Sequence, residues 1–326
     1  MKEILALTAP ESLARVEAPE RGEITVALVQ HRWHEDPQEL RGELEDGISR
    51  AASHGAQIVY LPEVTLSKYP AFVVPNPEAA DETAEELETG PTVAFAREMA
   101  AKYNLHVHIS LFRKAPAEDG LGLNTAVVVS PEGEIVALTN KLHIPRTAGY
   151  YEDKYFREGP AEDPYPVHKI EALGDLAMGL PTCWDEWFSE PPRIYSLAGA
   201  DLLAYPTAIG SEPDHPDFDT EPLWRQTIVG NGIANGLFMV VPNRWGDEGA
   251  LTFYGSSFIS DPYGRILARA PRDESAVLVA TLDLDARRDW LTLFPFLRTR
   301  RPETYAAMTQ QRNDSELGEQ KEDSHV

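Results

Sequence analysis

Three side chains of reactive types each follow a predicted strand. Glu63 ends the run IVYLPE, Lys141 ends EIVALTNK, and Cys183, the only cysteine of the chain, follows LAMGLPT. In open α/β sheets, ligands bind beyond the carboxyl ends of the strands. We therefore expect the three groups to meet at one sheet edge if their strands are neighbours, which the spacing alone does not decide.

These three types complement one another for attack on a carbonyl carbon. A thiol has an ordinary pKa of about 8.5, so at neutral pH it needs a base, and the carboxylate of Glu63 can serve. The ammonium of Lys141 can hold the oxyanion that develops, with the backbone N–H of Trp184 as a second donor. Taken singly, each has a plainer interpretation: Cys183 as a small buried hydrophobe, Glu63 as a helix cap, and Lys141 as a surface residue.

The elements that must position these groups alternate between strands and helices. We predict strands at 24–30, 56–63, 105–112, 123–130, 133–141, 175–184, 201–208, 237–245, 251–261, 264–270 and 276–285. We predict helices at 34–55, 81–102, 191–200, 221–236 and after residue 285. Buried strands that alternate with helices indicate an α/β domain with a mixed sheet under helical layers.

The chain reads as one domain. Its 326 residues suit one large domain, and no internal repeat or linker divides them. We predict a polar extension over residues 1–22, a single domain over 23–308, and a polar C-terminal tail over 309–326.

The charge and the cysteine count limit the partners and the compartment. The 53 acidic and 29 basic residues give a net charge of −24, which disfavours binding to nucleic acid or to an anionic membrane surface. No apolar run approaches the ~18 residues of a membrane span, and the N-terminus lacks the layout of a signal peptide. A single thiol fits a reducing compartment, so we expect a cytoplasmic protein.

Four motifs resemble those of the carbon–nitrogen hydrolase family, the nitrilase superfamily. The motifs are LPE (61–63), NKLHIP (140–145), YYEDKYF (150–156) and CWDEWFSE (183–190). They follow the order of the family, and the resemblance runs from Ile24 to Tyr305. It implies a catalytic set of Glu63, Lys141 and Cys183. A second glutamate of the family corresponds to Glu152.

The same resemblance implies a fold, an assembly and a reaction class. The family fold is a four-layer αββα sandwich with mixed sheets, which assembles into homodimers or larger homo-oligomers. The implied reaction hydrolyses a non-peptide C–N bond through a covalent thioester-type intermediate, without a cofactor or a metal. The start CWD favours amide or carbamoyl substrates over nitriles, because nitrilases usually continue with glutamate after the tryptophan.

The sequence most resembles the N-carbamoylputrescine amidase branch of the family. The segments that carry this likeness are KLHIPRTAGYYE (141–152), GSEP (210–213), FYGSSFI (253–259) and LFPFLRTRRPETY (293–305). The expected substrate is thus a small N-carbamoyl amine, cleaved to the amine, carbon dioxide and ammonia. Glu212 would receive a cationic amine tail, and Tyr69 and Trp187 would line the pocket. An ordinary loop carboxylate and two core aromatic residues are the alternatives.

Other functions stay open at this point. The same catalytic set suits an aliphatic amidase or ω-amidase. It also suits an N-carbamoyl-β-alanine hydrolase, for which Arg146 or Arg244 would have to clamp the substrate carboxylate. A metal hydrolase would use histidines such as His106 and His108, but no group of residues has the spacing of a zinc site. A non-catalytic binding protein is disfavoured by the intact Glu, Lys and Cys set.

Overall fold

The computed structural model describes residues 1–71 and 83–310. Two large β-sheets pack face to face, and helices cover their outer faces. The helices of the described residues are α1 (Pro37–Ser53), α2 (Pro91–Tyr103), α3 (Glu190–Leu197), α4 (Glu221–Asn235) and α5 (Asp285–Leu293). The strands are β1 (Lys2–Ala6), β2 (Glu23–Gln30), β3 (Ile58–Tyr60), β4 (His106–Arg113), β5 (Leu123–Val129), β6 (Ile135–Asn140), β7 (Arg146–Thr147), β8 (Tyr150–Tyr151), β9 (His168–Ile170), β10 (Leu176–Gly179), β11 (Leu202–Ala204), β12 (Phe238–Val241), β13 (Trp245–Asp247), β14 (Thr252–Tyr254), β15 (Phe258–Ser260), β16 (Ile266–Arg269) and β17 (Ala276–Asp283).

The first large sheet is mixed. Its seven strands lie in the order β1-β17-β2-β3-β4-β5-β6. Strands β2, β3 and β4 are parallel, whereas β5 and β6 continue as an antiparallel meander. Strands β3 and β6 therefore point the same way, so that residues following either strand emerge at the same edge of the sheet.

The second large sheet has six strands in the order β16-β15-β12-β11-β10-β9. Its central strands β10, β11 and β12 are parallel, and its outer pairs are antiparallel. Two short hairpins, β7 with β8 and β13 with β14, form separate two-stranded sheets.

The hydrophobic core has three layers between the four layers of elements. Along β2, Val26 and Leu28 face the second sheet, while Ala27 and Val29 face α1 and α2. This alternation follows from the two-residue period of a strand, and burial on both faces explains the unbroken apolar run. A third apolar cluster lies between the second sheet and helices α3 and α4. The predicted αββα sandwich with mixed sheets is confirmed.

The N-terminal segment contributes to the sheet, in contrast to the extension expected for residues 1–22. Lys2–Ala6 forms the edge strand β1, which pairs in parallel with β17. Further along this segment, Arg15 contacts Asp283 at 2.5 Å, and Arg21 contacts Asp201 at 2.6 Å. Charged side chains on such a short strand suit an edge position, which is why the segment reads as polar.

Helix α2 begins later than predicted. Residues 81 and 82 of the predicted helix 81–102 lie outside the described residues, and the helix starts at Pro91. Proline is tolerated in the first helical turn because that turn needs no N–H donor. Glu85, predicted as helical, pairs with Phe112 through its N–H and accepts a bond from the Thr92 N–H at 2.9 Å. Most of the predicted tail, residues 311–326, also lies outside the described residues.

Candidate active site

The first large sheet brings a carboxylate and an ammonium into direct contact. Glu63 follows β3, Lys141 follows β6, and Lys141 Nζ lies 2.9 Å from Glu63 Oε1. Asn124, on the intervening strand β5, donates to the same oxygen at 2.7 Å. All three side chains are buried. The positions of Glu63 after β3 and Lys141 after β6 bring both groups to the same sheet edge, as we expect from the sequence.

A second carboxylate completes the ion cluster. Glu152 opens a short 3₁₀ turn after β8, and both of its oxygens accept from Lys141 Nζ, at 2.8 and 2.6 Å. The hydroxyl of Tyr69 donates to Glu152 Oε1 at 2.7 Å. Lys141 therefore bridges two buried carboxylates, and Tyr69 holds one of them.

The thiol comes from the second large sheet. Cys183 begins a 3₁₀ turn after β10, and its N–H donates to Pro206 O at 3.1 Å. Its φ of 32° lies in the left-handed region, which is strained for a residue with a side chain. The charges of Glu63, Lys141 and Glu152 all act on this thiol. The sulfur thus lies within electrostatic reach of the ion cluster on the facing sheet.

This environment keeps the thiol protonated. Burial raises the pKa of Cys183 well above its ordinary value, the negative charge of Glu63 raises it further, and Lys141 opposes both. Attack by sulfur therefore requires a base. Among the described residues, Glu63 Oε2 has no hydrogen-bond partner, whereas Oε1 has two. Oε2 is the free acceptor that such a proton transfer needs.

In contrast to the neutral thiol, the ion cluster contains a group that stays charged, Lys141. Burial acts to lower the pKa of Lys141, but Glu152 and Glu63 outweigh it and raise that pKa above its ordinary value. Burial raises the pKa of Glu152 to about 7, even though Lys141 acts to lower it. The lysine therefore stays an ammonium at every working pH, and Glu152 titrates near neutrality.

Two acids of the CWDEW turn have structural contacts that the sequence analysis missed. Asp185 accepts from the Thr182 N–H at 2.9 Å and from His143 Nδ1 at 2.6 Å, so that it ties the turn to the segment after Lys141. Glu186 is buried and contacts Thr207 and Trp224. The dense acidic and aromatic character of the motif was the available signal.

Arg244 braces the segment that carries Glu63. Its Nη2 donates to the carbonyls of Glu63 at 3.0 Å, Val64 at 3.2 Å and Ser67 at 3.1 Å. Its Nη1 pairs with Glu248 at 2.8 Å. Both terminal nitrogens of this guanidinium are engaged, and its Nε, which has no partner within the described residues, is buried, so Arg244 is not free to clamp a substrate carboxylate.

The predicted substrate residues differ in their surroundings. Glu212 is half-buried and accepts from Thr220 Oγ1 at 3.2 Å, and burial raises its pKa despite that bond. Tyr150, which the sequence analysis missed, donates to Ser211 O at 3.3 Å, and burial, with the charge of Glu212 as a further cause, raises its pKa above the ordinary value. Tyr150 therefore contacts the loop that carries Glu212.

The aromatic residues of the turn lie beside the thiol. Trp187 packs against the apolar cluster that contains Cys183, and its buried Nε1 has no hydrogen-bond partner among the described residues. Trp184 is half-buried, with its ring centroid 6.5 Å from that of Trp187. Tyr69 is buried in the ion cluster described above.

The histidines suggested for a metal site belong to the core. His106 and His108 alternate on β4, and the His108 ring lies 5.2 Å from that of Tyr60 in the layer between the sheets. Burial lowers the pKa of His108 to about 3. In residues 1–71 and 83–310, no group of three His, Cys, Asp or Glu side chains is placed to hold a metal ion. Over the same residues, no helix has the length and apolarity to cross a bilayer.

Comparisons with known proteins agree with this geometry. The family model described as carbon-nitrogen hydrolase matches residues 25–291. A citrullinase of Francisella tularensis is 34% identical over 286 residues, which are 86% of this chain and 96% of that protein. An N-carbamoylputrescine amidase of Arabidopsis thaliana is 31% identical over 296 residues, 88% and 96% of the two chains. A crystal structure of a carbon-nitrogen hydrolase from Helicobacter pylori G27 superposes with a TM-score of 0.80 at 29% identity and covers 90% of this chain and 100% of that one.

Proposed function

The chain belongs to the carbon–nitrogen hydrolase family and is an amidohydrolase, and from this premise we propose that it hydrolyses the ureido group of a small N-carbamoyl amine such as N-carbamoylputrescine. The observation that carries the proposal is the buried contact of Lys141 with Glu63 and Glu152, within electrostatic reach of the protonated thiol of Cys183. This set suits attack on a carbonyl carbon that carries a poor leaving group.

The first half of the reaction forms a carbamoyl thioester. Glu63 Oε2 takes the thiol proton, and the Cys183 sulfur attacks the ureido carbon. Lys141 and the backbone N–H of Trp184 hold the oxyanion. As the tetrahedral intermediate collapses, the C–N bond breaks, and the proton on Glu63 passes to the departing nitrogen, which leaves as ammonia.

The second half returns the enzyme to its starting state. Glu63 takes a proton from water, the hydroxide attacks the thioester carbon, and the C–S bond breaks. The sulfur regains a proton from Glu63, and the released carbamic acid loses carbon dioxide to give the amine. One urea and one water thus yield one amine, one carbon dioxide and one ammonia.

The choice of a ureido group rests on the relatives. Citrulline and N-carbamoylputrescine, the substrates named for two relatives, each carry a ureido group at the end of an aliphatic chain. They differ in that citrulline also carries an α-carboxylate. Citrulline is therefore the second candidate, favoured by the 34% identity of the citrullinase.

The polar residues favour N-carbamoylputrescine, which has no carboxylate, over citrulline. Glu212 offers a half-buried carboxylate to a cationic tail, and the carboxylates around Lys141 add negative potential. Of the two arginines suggested as carboxylate clamps, Arg244 is engaged by Glu248 and three carbonyls. Arg146 has an exposed side chain that lies 3.6 Å from Glu158.

Ammonia release from a panel of substrates tests the proposal. The panel holds N-carbamoylputrescine, citrulline, N-carbamoyl-β-alanine, small aliphatic and ω-amides, and a nitrile. We expect the highest kcat/KM for N-carbamoylputrescine and no turnover by Cys183→Ala, which should unfold at the same temperature as the wild type. Preference for an ω-amide, or ammonia release by Cys183→Ala, would contradict the proposal.

The role of Glu212 has its own test. We expect Glu212→Gln to raise KM for amine-tailed ureas about tenfold, with little change in kcat, because one charge contact of about 1.4 kcal/mol is lost. Glu158→Gln, an exposed carboxylate whose side chain is 68% accessible, is the matched control. An unchanged KM would remove Glu212 from the pocket.

The assembly and the compartment follow as parts of the same proposal. Exposed apolar side chains on and around the outer helices support association of two copies; they are Ile194, Leu197, Leu223, Leu293 and Phe294. Light scattering on the purified protein should give twice the 36.2 kDa mass of the chain or more. A thiol nucleophile also favours the reducing cytoplasm, because oxidation would inactivate it.

A further inference from the structure

Glu186 is a buried acid beside the thiol with no salt-bridge partner. It lies three residues after Cys183 in the same 3₁₀ turn and is 1% exposed. No ion pair to Glu186 occurs within the described part of the chain, and its side-chain oxygens contact Thr207 Oγ1 and Trp224 Nε1, each at 2.6 Å. An ionised carboxylate in such a position lacks the cation that burial normally demands.

A count of hydrogens favours a protonated state for this acid. Thr207 Oγ1 lies 2.6 Å from Glu186 Oε1 and 2.8 Å from the carbonyl of Tyr205. Its hydroxyl has a single hydrogen, and both neighbours would be acceptors if Glu186 were ionised. One of the two short contacts would then hold no hydrogen. A proton on Glu186 Oε1 supplies the missing donor.

With that proton, every group in the chain of contacts is satisfied. Trp224 Nε1–H donates to Glu186 Oε2, Glu186 Oε1–H donates to Thr207 Oγ1, and Thr207 donates to Tyr205 O. The chain joins the turn that carries the thiol to helix α4 and to the segment after β11. It is electrically neutral throughout.

The charges around Glu186 agree with this state. Burial raises the pKa of Glu186 well above its ordinary value, although the bonds from Thr207 and Trp224 act to lower it. Lys141 is the cation that acts most strongly on Glu186. Glu63 also acts on it, and Cys183, Tyr205 and Tyr254 respond to its charge. Asp185, the adjacent acid of the turn, is engaged by Thr182 and His143.

We propose that Glu186 is held as a neutral carboxylic acid and acts as a positioning residue for the Cys183 turn. It touches no reacting atom, and its proton lets the turn be fixed without adding a negative charge beside the thiol. The consequence for turnover rests on the proposed function, whereas the protonation state itself does not.

The isosteric variant Glu186→Gln tests the proposal. Its amide nitrogen can donate to Thr207 and its carbonyl can accept from Trp224, so the variant reproduces the neutral acid. We expect the rate of Cys183 alkylation by iodoacetamide to match the wild type within about twofold at neutral pH, because one unit of thiol pKa would change the thiolate fraction about tenfold. Alkylation at least about tenfold faster in the variant would show that a negative charge had been removed, and would overturn the proposal.

Urea unfolding at several pH values distinguishes a titrating acid from a residue with a merely structural role, because only the former makes the stability depend on pH. Because the folded-state pKa lies above the ordinary 4.5, the contribution of protonated Glu186 is complete below that value and is lost as the pH rises toward the folded-state pKa. The wild type should therefore lose stability relative to Glu186→Gln as the pH rises. A constant difference would contradict the neutral acid.

Infrared spectra keep the proposal testable if the variant fails to fold. The wild type should retain the C=O band of a protonated carboxyl above the range in which Glu152, with its pKa of about 7, titrates. Absence of that band would overturn the proposal. Since neither alkylation nor infrared spectra need a substrate, a protein inactive on every urea would refute the proposed function and leave this inference standing.

Discussion

Two groups of buried acids flank the thiol, and they carry charge in opposite ways. The ion cluster of the active site, or lysine cluster, consists of Glu63, Lys141 and Glu152. The tryptophan cluster consists of Glu186, Thr207 and Trp224. The first has an ammonium between two carboxylates. The second has neutral donors only.

The contrast shows two solutions to the same desolvation cost. Burial penalises a charged carboxyl, and either a cation or a proton can offset the penalty. In the lysine cluster the cation offsets the penalty, and Glu63 keeps Oε2 free as an acceptor. In the tryptophan cluster the proton removes the charge altogether. Neighbouring acids with different environments can thus take different roles.

Removal of the cation should break the contrast most strongly. Lys141→Met leaves two carboxylates buried without compensation, which we expect to cost about 3–5 kcal/mol of unfolding free energy. Loss of the oxyanion donor should lower kcat by on the order of 100- to 1000-fold. Urea unfolding measures the change in stability, and ammonia release measures the change in kcat. The control is Lys154→Met, at a residue whose side chain is half-exposed. A variant as stable as the wild type would mean that the cluster is not ionic.

Removal of the base should lower turnover with less effect on stability. Glu63→Gln keeps an oxygen for Asn124 but cannot take a proton, so we expect kcat to fall on the order of 100- to 10000-fold. The same variant should leave Glu186 neutral. Turnover within about tenfold of the wild type would assign the base elsewhere.

The pH dependence of stability sharpens the comparison within the lysine cluster. The pKa of Glu152 is about 7 in the folded protein against an ordinary 4.5, so its stabilising effect is complete below that ordinary value and is lost as the pH rises through about 7. Relative to Glu152→Gln, the wild type should therefore lose on the order of 3 kcal/mol across this range.

Urea unfolding of both proteins at several pH values measures the change. Glu221 is a buried acid that pairs with Arg225 and Arg269, so Glu221→Gln serves as a control for a buried acid of a different ion pair. If the wild type and Glu152→Gln keep a fixed difference from mildly acidic to neutral pH, then Glu152 is ionised throughout.

The smallest expected effect concerns a single hydroxyl. Tyr69→Phe removes the donor to Glu152 Oε1 and should cost about 1 kcal/mol. Because that bond favours the charged form, its loss should also move the pH window of Glu152 upward. Tyr103→Phe, which removes a bond to Glu45 at the surface, is the matched control. If the pH range over which Glu152 titrates were unchanged in Tyr69→Phe, Tyr69 would have no part in that titration.

The sequence predicts the first cluster better than the second, for a physical reason. Glu63 and Lys141 follow strands that point the same way, so strand ends and charge types together indicate their contact. Glu186 depends on Thr207 and Trp224, which come from elements that only the tertiary fold brings together. No local pattern carries that information.

The same distinction explains the errors in the fold. The layers and most strands follow from hydrophobic periodicity, which is local. Strand β1 pairs with β17, more than 270 residues away in the register Lys2 to Ala276, and its own pattern is short and charged. The start of α2 at Pro91 depends on Glu85 being drawn into pairing with Phe112. Long-range pairing therefore decided both cases.

The origin of the reagents on separate sheets has a consequence for heat inactivation. Glu63 and Lys141 extend from one sheet and Cys183 from the other, and the apolar layer that contains Tyr60 and Met178 lies between the two sheets. A slight slip or swelling of that layer parts base from nucleophile while every helix and strand survives. On warming, the enzyme should therefore lose its activity some degrees below the temperature at which circular dichroism records any melting.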